Sequence, residues 1–141
     1  MKTRKPFTTK AELGRKTGVV YAPPRDIAAR EKQTDDDLDH AIRHYSQSLR
    51  RNPESAVAYF NRGLAYYCKD DLDRAIRDWD DAIRLVPDDA EAYYYRGIAY
   101  DEKGDQTNAI ADLNKALELC GDSLEYLCLN ARQVLEKLGA K

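Results

Sequence analysis

Shifted by 34 positions, the chain aligns with itself. Residues 56–89 and 90–123 share 15 identities in 34 positions. Among the matched pairs are Tyr59/Tyr93, Arg62/Arg96, Gly63/Gly97, Tyr66/Tyr100, Lys69/Lys103, Asp71/Asp105, Ala75/Ala109, Asp78/Asp112 and Ala82/Ala116. Such a period constrains the fold strongly, because one short unit cannot bury its apolar face alone and must stack on a copy of itself. The identities fall mostly on small or apolar residues at helical spacing, and so mark a packing surface.

Each unit reads as two helices around a tight turn. Tyr59, Gly63 and Tyr66 recur at intervals of four and three on one face of a first helix, and Ala75, Trp79 and Ala82 do the same on a second. Lys69-Asp70-Asp71 and Lys103-Gly104-Asp105 are polar breaks; Gly104 suits the left-handed conformation that often ends a helix. Pro87 and Gly121 mark where the second helices stop. Gly63 and Gly97 each cost a helix interior about 1 kcal/mol against alanine. Their recurrence at one register predicts a close helix approach, with Ala75 and Ala109 as the small residues facing them.

This pattern resembles the tetratricopeptide repeat (TPR) family. The first unit reads Tyr59-x-x-Arg62-Gly63-x-x-Tyr66, Ala75-x-x-x-Trp79, Pro87. The second reads Tyr93-x-x-Arg96-Gly97-x-x-Tyr100, Ala109-x-x-x-Leu113, with Gly121 replacing the proline. Arg62 and Arg96 stand where the family usually has leucine. The resemblance implies an all-α fold of antiparallel helix-turn-helix repeats stacked as a right-handed α-solenoid. Upstream, Ala41-x-x-x-Tyr45 and Pro53 lie one period before Ala75, Trp79 and Pro87. They mark 36–51 as the second helix of a degenerate repeat spanning 22–55. Its first helix, expected at about 25–34, opens with Pro23-Pro24 and lacks the family anchors. Downstream, Leu127, Ala131 and Val134 extend the first-helix stripe after Ser123, the expected N-cap. A closing helix over 123–138 follows, so that 124–141 forms a C-terminal cap and tail.

Residues 1–21 form a basic arm: six Lys or Arg against Glu12 give +5, so the other 120 residues sum to −7 within a chain total of −2. An acidic body disfavours nucleic acid as its ligand, since a phosphate backbone needs a basic face. No run approaches the roughly 18 apolar residues of a membrane-spanning helix. The basic start is followed by no apolar stretch, so no secretory signal is read, and a cytoplasmic location is the expectation. Cys68, Cys120 and Cys128 are odd in number and irregular in spacing, which predicts free thiols packed as small hydrophobes.

The resemblance also implies a concave ligand groove lined by the first helix of each repeat. Transferred by register, it comprises Val57, Phe60, Asn61, Leu64, Tyr67 and Cys68, then Glu91, Tyr94, Tyr95, Ile98, Asp101 and Glu102. The cap adds Glu125, Cys128 and Arg132, and the weak first helix adds Asp26 and Arg30. Tyr59, Tyr66, Tyr93 and Tyr100 are expected as fold anchors, leaving Phe60, Tyr67 and Tyr94 for a ligand. Asn61 matches the central Asn of the family's carboxylate clamp, but Asp26, Arg30, Glu91 and Tyr95 hold slots where lysines should stand. Hsp70 and Hsp90 tails are therefore not expected, because an acidic groove repels a carboxylate. The groove suits an apolar segment carrying Lys or Arg. The chain's own Lys10–Tyr21 stretch is one, able to dock within one molecule or across a homodimer; a solvated arm is the alternative.

His40 and His44, spaced i,i+4 with Asp36 one turn earlier, lack a zinc-protease pattern and flank the buried positions Ala41 and Tyr45. No phosphate loop or nucleophile motif is present. No metal, cofactor or catalytic residue is expected, and the chain is not read as an enzyme. The functional expectation is an adaptor or scaffold that binds a peptide or partner protein. Two rivals are a self-associating module whose arm fills its groove, and an arm (residues 2–16) that binds anionic lipid or nucleic acid.

Overall fold

The structure, a computed structural model, describes residues 34–139. The described residues form six α-helices: α1 Asp35–Arg51, α2 Ala56–Cys68, α3 Leu72–Leu85, α4 Ala90–Glu102, α5 Gln106–Leu119 and α6 Glu125–Lys137. A 3-10 turn, Asp122–Leu124, precedes α6. Among the described residues there is no strand. The basic arm, Asp26, Arg30 and nearly all of the helix expected at about 25–34 lie outside the described residues.

Local chemistry sets each boundary. The first five helices open on an oxygen-bearing side chain, Thr34, Ser55, Asp71, Asp89 or Asp105, that accepts from the backbone N–H three residues on. Each such cap contributes about 1 kcal/mol by satisfying an orphan donor. Asp70 and Gly104, one period apart, both take positive φ, +65° and +84°. At each turn the next N–H returns to a carbonyl five residues back, Asp71 to Tyr66 and Asp105 to Tyr100, both at 2.9 Å. These are Schellman turns, which reverse the chain and lay α3 on α2 and α5 on α4. Helix α6 differs from the expectation of a Ser123 cap. Leu124 occupies its N-cap position, no side chain caps it, and the 3-10 turn supplies the entry instead.

The helices stack in chain order: α1 on α2, α3 on α4, and α6 against α5. Ala58, Ala65, Ala75, Ala82, Ala99, Ala109 and Ala116 are buried at the crossings, where a small side chain admits close approach. Phe60, Leu64, Trp79, Ile98, Leu113 and Leu127 fill the spaces between. Each contributes on the order of 1.5–3 kcal/mol or more by leaving water. The close approach expected at the glycines is present, and its nearest atoms come from larger side chains than the alanines. A Cβ on Gly63 would lie 2.8 Å from Trp79 Nε1, and one on Gly97 would lie 3.0 Å from Leu113 Cγ. Asp112 Cβ at 3.2 Å and the backbone oxygen of Ala109 at 3.3 Å are the next nearest atoms to the Gly97 position. The nearest side chains are the large anchors of the second helix, Trp79 and Leu113, which the stagger of the pair brings over the glycines.

The cysteine expectation is also corrected. Cys120 and Cys128 form a disulfide with Cα atoms 6.2 Å apart, and Cys68 lies outside the bridge. Cys120 ends α5 and Cys128 lies in the first turn of α6. Their eight-residue separation matches no helical period, so the pairing depends on how the 3-10 turn folds the chain back.

Candidate ligand groove and the arginine staples behind it

On a helix of 3.6 residues per turn, Phe60, Asn61, Leu64, Tyr67 and Cys68 share one face of α2, and Tyr59, Arg62 and Tyr66 share the opposite one. The first face is the expected groove, and its side chains are largely out of solvent. Phe60 and Leu64 are 0% exposed and Tyr67 is 1%. On α4, Tyr95 and Ile98 are fully buried, and Tyr94 and Glu91 nearly so. Val57 and Asp101 are half-buried, whereas Glu102, Glu125 and Arg132 are exposed and Cys128 is tied into the disulfide. Tyr59, Tyr66, Tyr93 and Tyr100, expected as the buried anchors, are only half-buried.

The rings form one connected cluster. Phe60 meets Tyr95 edge-on at 5.6 Å, Tyr95 stacks on Trp79 at 6.0 Å, and Trp79 reaches Tyr67 at 6.1 Å. Tyr94 packs edge-on against Tyr95 at 5.1 Å. The Trp79 indole N–H donates to the Phe60 carbonyl at 3.2 Å, which couples the groove face to the repeat interior. Burial pushes the Tyr95 phenol well above its ordinary range, and the Glu91 carboxylate adds to the effect. Within this apolar patch, Asn61 is 1% exposed, and neither its Nδ2 nor its Oδ1 has a hydrogen-bond partner.

On the opposite face lies a device that sequence reading passed over. Arg62 donates from Nε and Nη2 to the two oxygens of Asp78, at 2.8 and 2.7 Å, and from Nη1 to Ser46 Oγ at 3.1 Å. One period on, Arg96 does the same to Asp112, both at 2.7 Å, and to Asp80 at 2.8 Å. Each arginine thus reaches sixteen residues forward to its own second helix and sixteen back to the preceding one. Tyrosine rings flank each guanidinium: Tyr59 and Tyr66 at 5.8 and 5.9 Å, Tyr93 and Tyr100 at 5.5 and 5.9 Å. This explains the departure from leucine, since a planar fork can grip a carboxylate and lie between ring faces together. The Asp78 bond raises the Arg62 pKa, while burial pushes the Asp78 carboxyl up against the pull of Arg62. The signal was in the repeat: Arg62/Arg96 and Asp78/Asp112 are among the identities.

Lys69 with Asp39 and Lys103 with Asp73 form a second ion-pair rung repeated at the same period, joining the end of α2 to α1 and the end of α4 to α3. A fold whose side-chain contacts recur every 34 residues is what the family pattern demands, and the comparisons agree. A family profile described as "Tetratricopeptide repeat" matches residues 28–80 and 69–123, more than half of the chain. The chain belongs to the tetratricopeptide repeat family. Among solved TPR structures, it is similar to the Yersinia enterocolitica type III secretion chaperone SycD in complex with a peptide of the translocator YopD. That match has 14% identity and a TM-score of 0.71, covering 74% of this chain and 81% of the other. It is also similar to the second TPR of Spaghetti (RPAP3) bound to the HSP90 peptide SRMEEVD. There the identity is 26% and the TM-score 0.58, with 60% of this chain and 78% of the other covered. The MamA protein is 31% identical, with a TM-score of 0.57 over 64% of this chain and 49% of that one. No match is found among curated proteins.

Among the described residues of this TPR chain, no three His, Cys, Asp or Glu side chains are grouped to hold a metal. His40 is exposed, and His44 lies edge-on to the Tyr45 ring at 4.9 Å. No helix among the described residues is long and apolar enough to cross a membrane.

Proposed function

We propose that this TPR chain is a protein-interaction adaptor that holds a peptide segment of a partner across the α2–α4 face. The observation that carries the reading is Asn61. A carboxamide buried without partners forgoes hydrogen bonds worth about 1–3 kcal/mol. An extended peptide offers what it lacks, because the N–H and C=O of one and the same residue point to the same side of the chain. Family membership and the peptide complexes of SycD and RPAP3 support the same role. The acids beside the patch, Glu91, Asp101 and Glu102, favour a partner with apolar residues interleaved with Lys or Arg. They disfavour an acidic chaperone tail of the kind RPAP3 holds.

The test is a peptide array of basic–apolar and acidic–apolar twelve-residue peptides, probed with the full chain and with Asn61→Leu. Leucine keeps the branched outline of asparagine but removes both polar atoms. We expect wild type to select the basic–apolar set, and Asn61→Leu to lose that selection while keeping its melting temperature. Equal binding by both proteins, or selection of acidic peptides, refutes the reading.

A second reading is supported by the burial of Phe60, Leu64, Tyr67, Tyr95 and Ile98 and by the charge division between arm and body. In it, the chain's own residues 1–21 are the groove ligand, within one molecule or across a dimer. Deleting 1–21 then lowers the melting temperature or the molar mass and raises affinity for basic–apolar peptides. No change in any of the three removes this reading.

A further inference from the structure

The two arginine staples are not chemically alike, and the difference leaves one of them with an open charge site. In the second staple, Arg96 Nη1 ends on the carboxylate of Asp80, and the neighbouring Arg84 pairs with Asp81 at 3.3 Å. One period earlier those two acids are replaced by Ser46 and Gln47. Arg62 Nη1 ends on the Ser46 hydroxyl, and Arg50, the counterpart of Arg84, is exposed and makes no ion pair among the described residues. Two negative charges that satisfy the second position are therefore missing from the first. A hydroxyl is also shorter than a carboxylate, and a pocket of about 340 Å³ opens there, lined by Ser46, Leu49, Arg50, Tyr59 and Arg62.

The second repeat acts as an internal control, because it shows what the outer edge of this guanidinium accepts when the chain supplies it: a carboxylate at 2.8 Å. Asp78 neutralises Arg62, so Arg50 is the surplus charge at the first position. We propose that this pocket is a carboxylate-binding site that takes an Asp or Glu side chain of a partner protein. One carboxylate oxygen accepts from Arg62 Nη1 and the charge lies against Arg50, while Leu49 and the Tyr59 ring cover the methylenes. The fit uses charge-assisted hydrogen bonds, roughly twice as strong as neutral ones. The site is on the face of α2 opposite Asn61, so it binds independently of the groove. It exists at a single register, because Asp80 and Asp81 close the equivalent position.

The test follows the arginine Nε–Hε resonances of the full-length ¹⁵N-labelled chain during titration with acetyl-Gly-Glu-Gly-amide. Acetyl-Gly-Gln-Gly-amide is the neutral control. We expect saturable shifts at Arg62 and Arg50, none at Arg96 or Arg84, and affinity for the glutamine peptide weaker by at least about tenfold. Ser46→Asp, which copies Asp80, should abolish the response without lowering the melting temperature. Arg50→Gln should weaken the response by about tenfold. A missing shift, an equal response to the glutamine peptide, an equal shift at Arg96, or a response retained in Ser46→Asp overturns the proposal. So does binding of inorganic phosphate with no response to the glutamyl peptide.

Discussion

Replacing Gly63 by alanine tests the packing logic at its tightest point. Added to the backbone, the methyl carbon stands 2.8 Å from Trp79 Nε1, 3.0 Å from Cε2 and 3.1 Å from Cδ1. The first contact is 0.6 Å inside the 3.4 Å at which ordinary van der Waals contact begins. Trp79 cannot swing away cheaply. It is fully buried, stacked on Tyr95, backed by Tyr67 and hydrogen-bonded to the Phe60 carbonyl one turn from the glycine. Overpacking a filled core costs about 1–3 kcal/mol. A displaced indole that loses its acceptor costs about 1 kcal/mol more. Alanine returns about 1 kcal/mol through its better helix propensity. The net expectation for Gly63→Ala is destabilisation by about 1–3 kcal/mol. Urea unfolding followed by far-UV circular dichroism measures it. Gly121→Ala is the control, with nothing within 4 Å of its added carbon, and should be nearly neutral. If Gly63→Ala is as stable as wild type or more so, helix propensity outweighs the glycine–tryptophan contact and the reasoning is wrong.

The arginine staple gives a second expectation. Arg62→Met leaves the Asp78 carboxylate, 5% exposed, buried without its cation. Since Arg62 keeps 21% exposure, the loss should be about 2–3 kcal/mol by urea unfolding, below that of a fully buried pair. Adding Asp78→Leu should recover most of it. Asp70 holds φ +65° where Gly104 holds +84°, so Asp70→Gly should raise stability by up to about 1 kcal/mol, read as a higher urea midpoint. For pH, the Lys103 ammonium holds the Asp73 carboxyl below its ordinary value, and hydrogen bonds from Asn108 do the same for Asp105. A lowered folded pKa stabilises above the unfolded value, near pH 4, and that stability fades as pH falls through the folded value. The raised Asp78 carboxyl works in the opposite sense, its contribution being fullest below the unfolded value and fading as pH rises through the folded one. Asp105→Asn, which keeps a capping oxygen, should therefore make the acid loss of melting temperature below pH 4 shallower.

Most of the local architecture is readable from the residues one after another. The 34-residue period, two helices per unit, the turns at 69–71 and 103–105, and the ends near Pro87 and Gly121 all follow from spacings of three and four and from turn chemistry. These depend on atoms a few residues apart, and the helix geometry that relates them is the same in any protein. The family resemblance came from the same spacings. What lies between helices was not readable in this way. Spacing pointed to a small residue, Ala75, beside Gly63, and only the structure shows the Trp79 ring as its nearest neighbour. It joins Cys120 to Cys128 across a 3-10 turn, and it buries Phe60 and Tyr67 more deeply than the expected anchors Tyr59 and Tyr66. The crossing angle and stagger of two packed helices decide which side chains meet, and both emerge from the whole set of ridges and grooves. Arg62 shows the division plainly. Its recurrence at Arg96 marked it in the sequence, but only the stacked helices place it between Ser46 and Asp78, sixteen residues away on either side.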